Sequence, residues 1–200
     1  MQTLSFIKGL MKSKMPNKHQ QSRRSFLRHM GSLTAGLAVS STALGNIKPA
    51  AFDKTLMFKN LHTGEALSTT FYAAGDYITE SLDNINYLLR DHRNNQVSAI
   101  DPDLLTLLYN LKKALRTTNP FHVISGYRSP ETNAMLSQRS NKVAKKSLHM
   151  QGKAIDIRLP GIDIKHLQRA ALALQGGGVG LYTRSDFVHL DVGRVRQWGS

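Results

Sequence analysis

The most informative stretch of this 200-residue chain is Ser147-Leu148-His149-Met150-Gln151-Gly152-Lys153-Ala154-Ile155-Asp156-Ile157. Side chains alternate between the two faces of a strand, so Ile155 and Asp156 point in opposite directions. The later segment Phe187-Val188-His189-Leu190-Asp191 alternates in the same way and places His189 on its polar face. We therefore predict two strands whose apolar faces enter a core and whose polar faces meet in a cleft.

The polar residues of these strands are suited to a metal ion. Two imidazoles and one carboxylate, from His149, Asp156 and His189, are the ligand types of a zinc site with one open position, which is typical of catalytic rather than structural zinc. A carboxylate between two isoleucines on a buried strand is also costly unless it is paired or bound to metal. The chain has no cysteine, which excludes the Cys-rich structural zinc sites. We expect one Zn²⁺ per chain.

A zinc hydrolase also needs a group that takes a proton from water and a cation that stabilises the developing negative charge. Asp186, three positions before His189, and Asp191, two after it, are the candidates for the catalytic base. Asp191 shares the strand face of His189, whereas Asp186 precedes the strand. Arg128, in Ser125-Gly126-Tyr127-Arg128-Ser129, follows a predicted strand and a glycine. It is a candidate for binding a substrate carbonyl or carboxylate, although a surface salt bridge explains it equally well.

The rest of the chain predicts a small single domain of the α+β class over residues 52–200. Hydrophobic periodicity predicts five strands, at 55–61, 67–72, 121–125, 154–158 and 187–192. It also predicts four helices, at 77–93, from Asp101-Pro102 onward, at 131–137 and at 164–174. The glycine-rich stretch 176–180 is predicted as a tight turn with close backbone packing, because it lacks the Lys-Ser/Thr ending of a phosphate-binding loop.

Residues 1–51 have the pattern of a twin-arginine export signal. Arg23-Arg24-Ser25-Phe26-Leu27 is followed by a short stretch of small and mildly apolar residues, with cleavage expected after Gly45 or after Ala51. The apolar stretch is too short for a stable membrane span; the alternative is an uncleaved membrane tether. We therefore expect the protein in the periplasm.

The charge of the chain changes when this segment is set aside. The whole chain has a net charge of +14, but eight of its 27 basic residues and none of its 13 acidic residues lie within 1–51. The remaining 19 basic and 13 acidic residues give +6. This modest charge suits an anionic polymer, and no basic run with interleaved aromatics indicates nucleic acid.

The pattern Ser147-x-His149-x-x-Gly152-x-Ala154-x-Asp156, with His189-x-Asp191 and Ser125-Gly126-Tyr127-Arg128-Ser129, resembles the LAS-type zinc peptidases. This group includes D-alanyl-D-alanine carboxypeptidases and murein endopeptidases. The resemblance implies zinc ligands at His149, Asp156 and His189, an oxyanion-stabilising Arg128 and a substrate hydrogen bond from Ser147. It also implies a central antiparallel sheet flanked by helices around a zinc cleft.

By the same resemblance, we expect a periplasmic endopeptidase that hydrolyses peptide cross-links of peptidoglycan, with preference for the bond between two diaminopimelate residues. The alternatives are a D,D- or L,D-carboxypeptidase that trims stem peptides and a non-catalytic peptidoglycan-binding module. The ligands and at least one acid are present, which favours an enzyme. The sequence leaves open whether an adaptor protein takes part.

Overall fold

A computed structural model describes residues 52–140 and 143–199 of the chain, and it begins with a hairpin. The strands β1 (Lys54–Asn60) and β2 (Ala66–Ala73) pair antiparallel, as the alternation of apolar residues predicts. The side-chain oxygen of Asn60 accepts hydrogen bonds from the backbone N–H groups of His62 and Thr63, and Gly64 has a φ of +77°. The turn is therefore closed by an asparagine and by a glycine in the left-handed region.

In the described residues after the hairpin there are four α-helices, and three of them begin at a side-chain cap. They are α1 (Thr79–Leu88), α2 (Pro102–Leu115), α3 (Pro130–Arg139) and α4 (Ile164–Ala173). Asp101, Ser129 and Asp163 each accept a hydrogen bond from a backbone N–H in the first turn of α2, α3 and α4 respectively. These residue types satisfy N–H groups that have no partner within the helix. The helix predicted from Asp101-Pro102 is thus confirmed.

The remaining strands complete an eight-stranded sheet. They are β3 (Asp76–Tyr77), β4 (Phe121–Ser125), β5 (Ala154–Arg158), β6 (Gly178–Tyr182), β7 (Phe187–Asp191) and β8 (Arg196–Gly199). The order is β3-β2-β1-β4-β5-β7-β6-β8. Among the described residues, five of the seven neighbouring pairs are antiparallel, while β1–β4 and β6–β8 are parallel. The α+β class and the mainly antiparallel sheet are confirmed.

Several elements, among them the unpredicted short strand β3, differ from the sequence-based prediction. The helix predicted over 77–93 covers only 79–88, because Tyr77 pairs with Tyr72 in the sheet and the chain turns after Leu89. The glycine stretch 176–180 is not wholly a turn, since Gly178 and Gly180 lie within β6. The strand β8 was not predicted. Its short run of mixed residues becomes a strand only through parallel pairing with β6.

Strand alternation separates the core from the polar face of the sheet. Ile155 and Ile157 of β5 and Val188 and Leu190 of β7 are fully buried, in one apolar cluster with side chains of α2 and α4. The intervening residues Asp156 and His189 therefore lie on the other face, as predicted. The sheet thus uses one face for stability and leaves the other for a polar site.

The described residues, 52–140 and 143–199, belong to one compact unit. The predicted export signal at 1–51 and its cleavage points lie outside the described residues. Within 52–140 and 143–199, none of the helices has the length and apolar character that crossing a membrane would require.

Candidate metal centre

His149, Asp156 and His189 come together on the polar face of the sheet. Asp156 and His189 are directly opposite each other in the pairing of β5 with β7. The Nδ1 atom of His189 lies 2.9 Å from Asp156 Oδ1 and 3.2 Å from His149 Nε2, and His149 Nε2 lies 3.3 Å from Asp156 Oδ1. Three ligand atoms thus converge on one point, and they form the metal-ligating cluster found in the part of the chain that the structure describes.

These distances fit a single metal ion. Two ligand atoms of a tetrahedral zinc at about 2.0–2.1 Å from the metal are separated by roughly 3.3 Å. The three observed separations are close to that value, and the donor set of two nitrogens and one carboxylate oxygen matches the preference of zinc. The residues present therefore fit a metal ion with an open fourth position.

His149 is held by the short 3₁₀ helix Leu148–Gln151 that precedes β5. The hydroxyl of Ser147 accepts a hydrogen bond from the backbone N–H of His149, which caps this helix. The turn into β5 requires Gly152, which has a φ of +66° and whose added Cβ would come within 2.0 Å of the Ala99 carbonyl oxygen. His149 is 2 % exposed, and its Nδ1 lies 2.7 Å from the carbonyl oxygen of Gly126. With Nδ1–H donating to that carbonyl, Nε2 is left free to bind metal.

His189 is fixed in the same way by Asp191. The Nε2 atom of His189 lies 3.0 Å from Asp191 Oδ2, so Nε2–H donates to the carboxylate and Nδ1 faces the other ligands. Such a partner on the far ring nitrogen fixes the tautomer and the orientation of a metal-binding histidine.

The carboxylate of Asp191 is itself fully buried and has partners on both oxygens. Its Oδ1 accepts hydrogen bonds from the backbone N–H groups of Gly178 and Gly193, and Arg196 donates to both oxygens at 3.0 and 2.7 Å. An added Cβ at Gly178 would lie 2.3 Å from the Arg196 guanidinium and 2.5 Å from Asp191 Oδ2. The close packing predicted for the glycine stretch is therefore confirmed, and it makes room for this ion pair.

The charges of the cluster shift the pKa values of its members. Burial alone would raise the pKa of Asp156, but the charges of His149 and His189 and their hydrogen bonds outweigh it and hold the pKa well below its ordinary value. Burial opposes the charged form of His189, yet hydrogen bonds to Asp156 and Asp191 raise its pKa. The pKa of Asp191 is lowered despite burial by His189, Arg196 and backbone N–H groups. The carboxylates therefore remain ionised, as metal binding requires.

Arg128 lies beside the cluster. Its backbone N–H donates to the carbonyl of His149, and its guanidinium approaches Asp156 Oδ2 at 3.8 Å. Nη1 and Nη2 make long contacts with Asn133 Oδ1 and Ser125 Oγ, at 3.4 and 3.5 Å. Among the described atoms, its Nε is buried without a hydrogen-bond partner. Burial lowers the pKa of Arg128, so the guanidinium is a desolvated cation with donors that an incoming oxygen could use.

The two candidate bases occupy different places. Asp191 borders the cavity, but both of its oxygens are engaged as described above. Asp186 adopts a left-handed backbone, at a φ of +52°, directly after the 3₁₀ helix Thr183–Ser185. Its carboxylate is 60 % exposed and lies 3.2 Å from Arg158 Nη1. The structure therefore brings Asp191 to the candidate metal ligands and places Asp186 in an ion pair outside the cavity lining.

A cavity of about 500 Å³ opens over the three ligands. Ser147 and Arg128 line it together with aromatic residues that the sequence did not single out: Tyr182, Phe187 and Trp198. Tyr182 stacks on Phe187 at 4.5 Å between ring centroids and accepts a hydrogen bond from Trp198 Nε1. Trp198 lies 5.1 Å from the His189 ring, and Gly180 makes room for it, since an added Cβ would meet its indole at 2.5 Å.

Three further histidines, His62, His92 and His122, are not part of this cluster. His62 and His92 stack on each other, with ring centroids 3.8 Å apart and planes within 9°. Burial, followed by the nearby His62, lowers the pKa of His92 to about 4. The pKa of His122 is also lowered, mainly by burial.

Comparisons with known proteins agree with the geometry. Residues 48–198 match the sequence model of a family described as peptidoglycan L,D-endopeptidase MepK. The peptidoglycan L,D-endopeptidase MepK of Escherichia coli K12 is 41 % identical over 182 residues, which cover 91 % of this chain and 100 % of that protein. A probable MepK from Haemophilus influenzae is 38 % identical over 183 residues, or 91 % of this chain and 98 % of its own length. No solved structure gave a significant match.

Proposed function

The chain belongs to the MepK family of peptidoglycan L,D-endopeptidases, and on that premise we propose that it hydrolyses peptide cross-links of peptidoglycan with one zinc ion. The observation that carries the proposal is the convergence of His149 Nε2, His189 Nδ1 and Asp156 Oδ1 within 3.3 Å of one another. Each imidazole has its other nitrogen anchored by an acceptor, so the ligand atoms are oriented before a metal arrives.

His149, Asp156 and His189 would hold the zinc ion. When bound, zinc supplies a Lewis acid that activates water and polarises the scissile carbonyl. Arg128, desolvated and with an unpartnered Nε, would donate to the carbonyl oxygen as negative charge develops on it. Ser147, which caps the His149 helix and lines the cavity, would contact the substrate from the same side.

We assign Asp191 the task of orienting His189, because its buried oxygens are fully engaged. The proposed proton acceptor is Asp186. Its neighbour Ser185 lines the cavity. A conformational change in segment 183–186 would break the ion pair between Asp186 and Arg158 and would move the Asp186 carboxylate to a position over the metal ligands. A carboxylate in that role accepts a proton from water and then donates it to the departing amine.

The cavity lining fits a substrate with both apolar and acidic parts. Tyr182, Phe187 and Trp198 offer an aromatic wall, while Lys146 and Arg128 add positive charge. The aliphatic chain and the carboxylate of diaminopimelate match these two features, so the proposed bond is the L,D cross-link between two diaminopimelate residues. Because such a polymer lies outside the cytoplasmic membrane, the proposed location is the periplasm, with residues 1–51 as a twin-arginine export signal.

The proposal is tested with purified protein and soluble cross-linked muropeptides, with zinc and with a chelator. Separation of the products should show monomers of the L,D-linked dimer only when zinc is present. Two control substrates decide between activities: a D,D-linked dimer and an uncross-linked tetrapeptide. Release of a terminal residue from the tetrapeptide, with intact dimers, would identify a carboxypeptidase instead. If none of these substrates is cleaved, the remaining interpretation is a non-catalytic peptidoglycan-binding module.

A further inference from the structure

A second cavity, of about 350 Å³, lies between β1 and the C-terminal end of α2. It shares no lining residue with the cavity over the metal ligands. No described acidic residue lines it. Its surface is mainly apolar, and the polar residues that border it are three cations and four hydroxyl-bearing residues: Lys112, Lys113, Arg116, Thr55, Tyr109, Thr117 and Thr118. The concave shape and the single sign of charge indicate an anionic ligand.

The cavity arises from the way the sheet is paired. The strand β4 pairs with β1 only at Phe58–Asn60, so the first half of β1 extends past this pairing. The connection from α2 to β4 borders that extension and contributes Thr117 and Thr118. Met57 and Tyr109 provide apolar surface between the cations. A ligand with carboxylates on a partly apolar skeleton would therefore find both kinds of surface.

Arg116 has a left-handed backbone conformation, in which glycine is favoured over residues that carry a side chain. It caps α2 in the left-handed region, with φ +51° and ψ +43°. Glycine is the usual residue at this position, because a side chain disfavours that conformation. The arginine at this position therefore costs local backbone energy, and its side chain contributes to the lining of the cavity.

Lys112 is partly buried, and its Nζ donates to the carbonyl oxygen of Thr118 at 3.2 Å. Burial lowers the pKa of the Lys112 ammonium group. Cations at the last turn also interact favourably with the helix dipole. That effect is weak at an exposed end, however, and accounts neither for the left-handed Arg116 nor for the cavity.

We propose that this cavity binds carboxylate groups of peptidoglycan at a point separate from the bond that is cut, and so anchors the enzyme on the polymer. The identity of the polymer rests on the proposed function. Anchoring at a second site raises the local concentration of the reactive cross-links without changing the chemistry at the metal. It should therefore affect intact sacculi and leave small soluble fragments unaffected.

The test uses the purified protein with Arg116→Gln and Arg116→Gly, and with Arg169→Gln, at an exposed position on α4, as the matched control. The fraction that sediments with intact sacculi is measured at low and at high salt. Loss of one contact between exposed charges weakens binding by up to about fivefold, and we expect that loss at low salt for both Arg116 variants but not for Arg169→Gln. The difference should shrink at high salt.

Arg116→Gly separates binding from folding. Because glycine favours the left-handed conformation, this variant should have the same or a higher melting temperature while it binds sacculi more weakly. Binding of both Arg116 variants equal to that of the unaltered protein would overturn the proposal. So would retention by anionic phospholipid vesicles in place of sacculi, since that would assign the cavity to lipid.

Turnover of soluble muropeptides reports on the proposed function independently. We expect it to be the same in all three variants and in the unaltered protein. If no form cleaves muropeptides, the proposed function fails, whereas the sedimentation result still decides whether the cavity binds the polymer.

Discussion

The buried carboxylate of Asp191 accepts a hydrogen bond from Nε2 of His189 at 3.0 Å. This contact turns Nδ1 of the same ring toward Asp156 and His149. A residue two positions along the same strand thus decides which nitrogen of His189 faces the candidate metal site. The contact depends in turn on Arg196, from β8, which is bound to both oxygens of Asp191.

Replacement of Asp191 by Asn should weaken zinc binding. The amide is of similar size but has no charge to pair with Arg196, and it holds the His189 ring less firmly. Loss of such a partner typically lowers metal affinity by about 10- to 100-fold. Zinc affinity is measured by competition with a chelating dye, with Asp83→Asn, at an exposed position on α1, as the control. Unchanged affinity together with a lower kcat at full zinc occupancy would place Asp191 in proton transfer instead.

Replacement of Arg196 by Met should destabilise the fold, because it leaves the carboxylate of Asp191 buried without its cation. Breaking a fully buried pair costs about 3–5 kcal/mol. The Arg196 side chain is 30 % exposed, so we expect roughly 2–3 kcal/mol. Urea unfolding gives the free energy, and Arg194→Met, at an exposed position, should change it little. Equal unfolding midpoints for the two variants would show that water replaces the guanidinium.

The stability of the metal-free protein should be highest at an intermediate pH and should fall at both lower and higher pH. The raised pKa of His189 means that its contribution is complete below about 6.5, the pKa of an unfolded histidine. That contribution is lost as the pH rises through the folded value. The lowered pKa values of Asp156 and Asp191 give contributions that are present above about 3.9 and are lost as the pH falls. Urea unfolding with chelator present, from acidic to alkaline pH, should show both limbs.

Zinc should change the alkaline limb of that profile. The metal competes with the proton on His189 Nδ1, so its affinity and its stabilising effect should rise with pH. A zinc-loaded protein that loses stability on the alkaline side in the same way as the metal-free form would contradict the assignment of His189 as a ligand.

The alternation in two short segments was sufficient to predict the centre of this fold. Ile155 and Val188 face the core while Asp156 and His189 lie on the opposite face, because side chains alternate between the two faces of a strand. The same regularity does not set which strands become neighbours over long distances. The strand β8 therefore escaped prediction, and with it Arg196 and Trp198, which complete the site from the far edge of the sheet.

The glycine stretch shows a second limit of sequence reasoning. Its close packing was predictable, since glycines in a cluster serve backbone approach more often than ligands. The side chains that pack against these glycines were not predictable. Gly178 makes room for the Asp191–Arg196 pair and Gly180 for Trp198, and both partners are visible only once β6 lies between β7 and β8.

Replacement of Arg128 by Lys should lower kcat, with a smaller effect on KM. A lysine keeps the charge but not the planar set of donors. Removal of one donor to a developing oxyanion typically lowers the rate by about 10²- to 10³-fold. Muropeptide turnover at saturating zinc is the measurement, with Arg139→Lys, at an exposed position on α3, as the control. A rise in KM alone would show that Arg128 binds the ground-state substrate and not the transition state.

Replacement of Asp186 by Asn should lower kcat and leave zinc affinity unchanged. Asp186 makes no contact with the ligands and pairs with Arg158, so its loss should not disturb the metal. A general base contributes about 10²- to 10⁴-fold to the rate. The partner variant Arg158→Gln sharpens the test, since it frees the carboxylate and should leave kcat the same or higher. If Asp186→Asn retains full kcat at full zinc occupancy, proton transfer belongs to another group in the cavity.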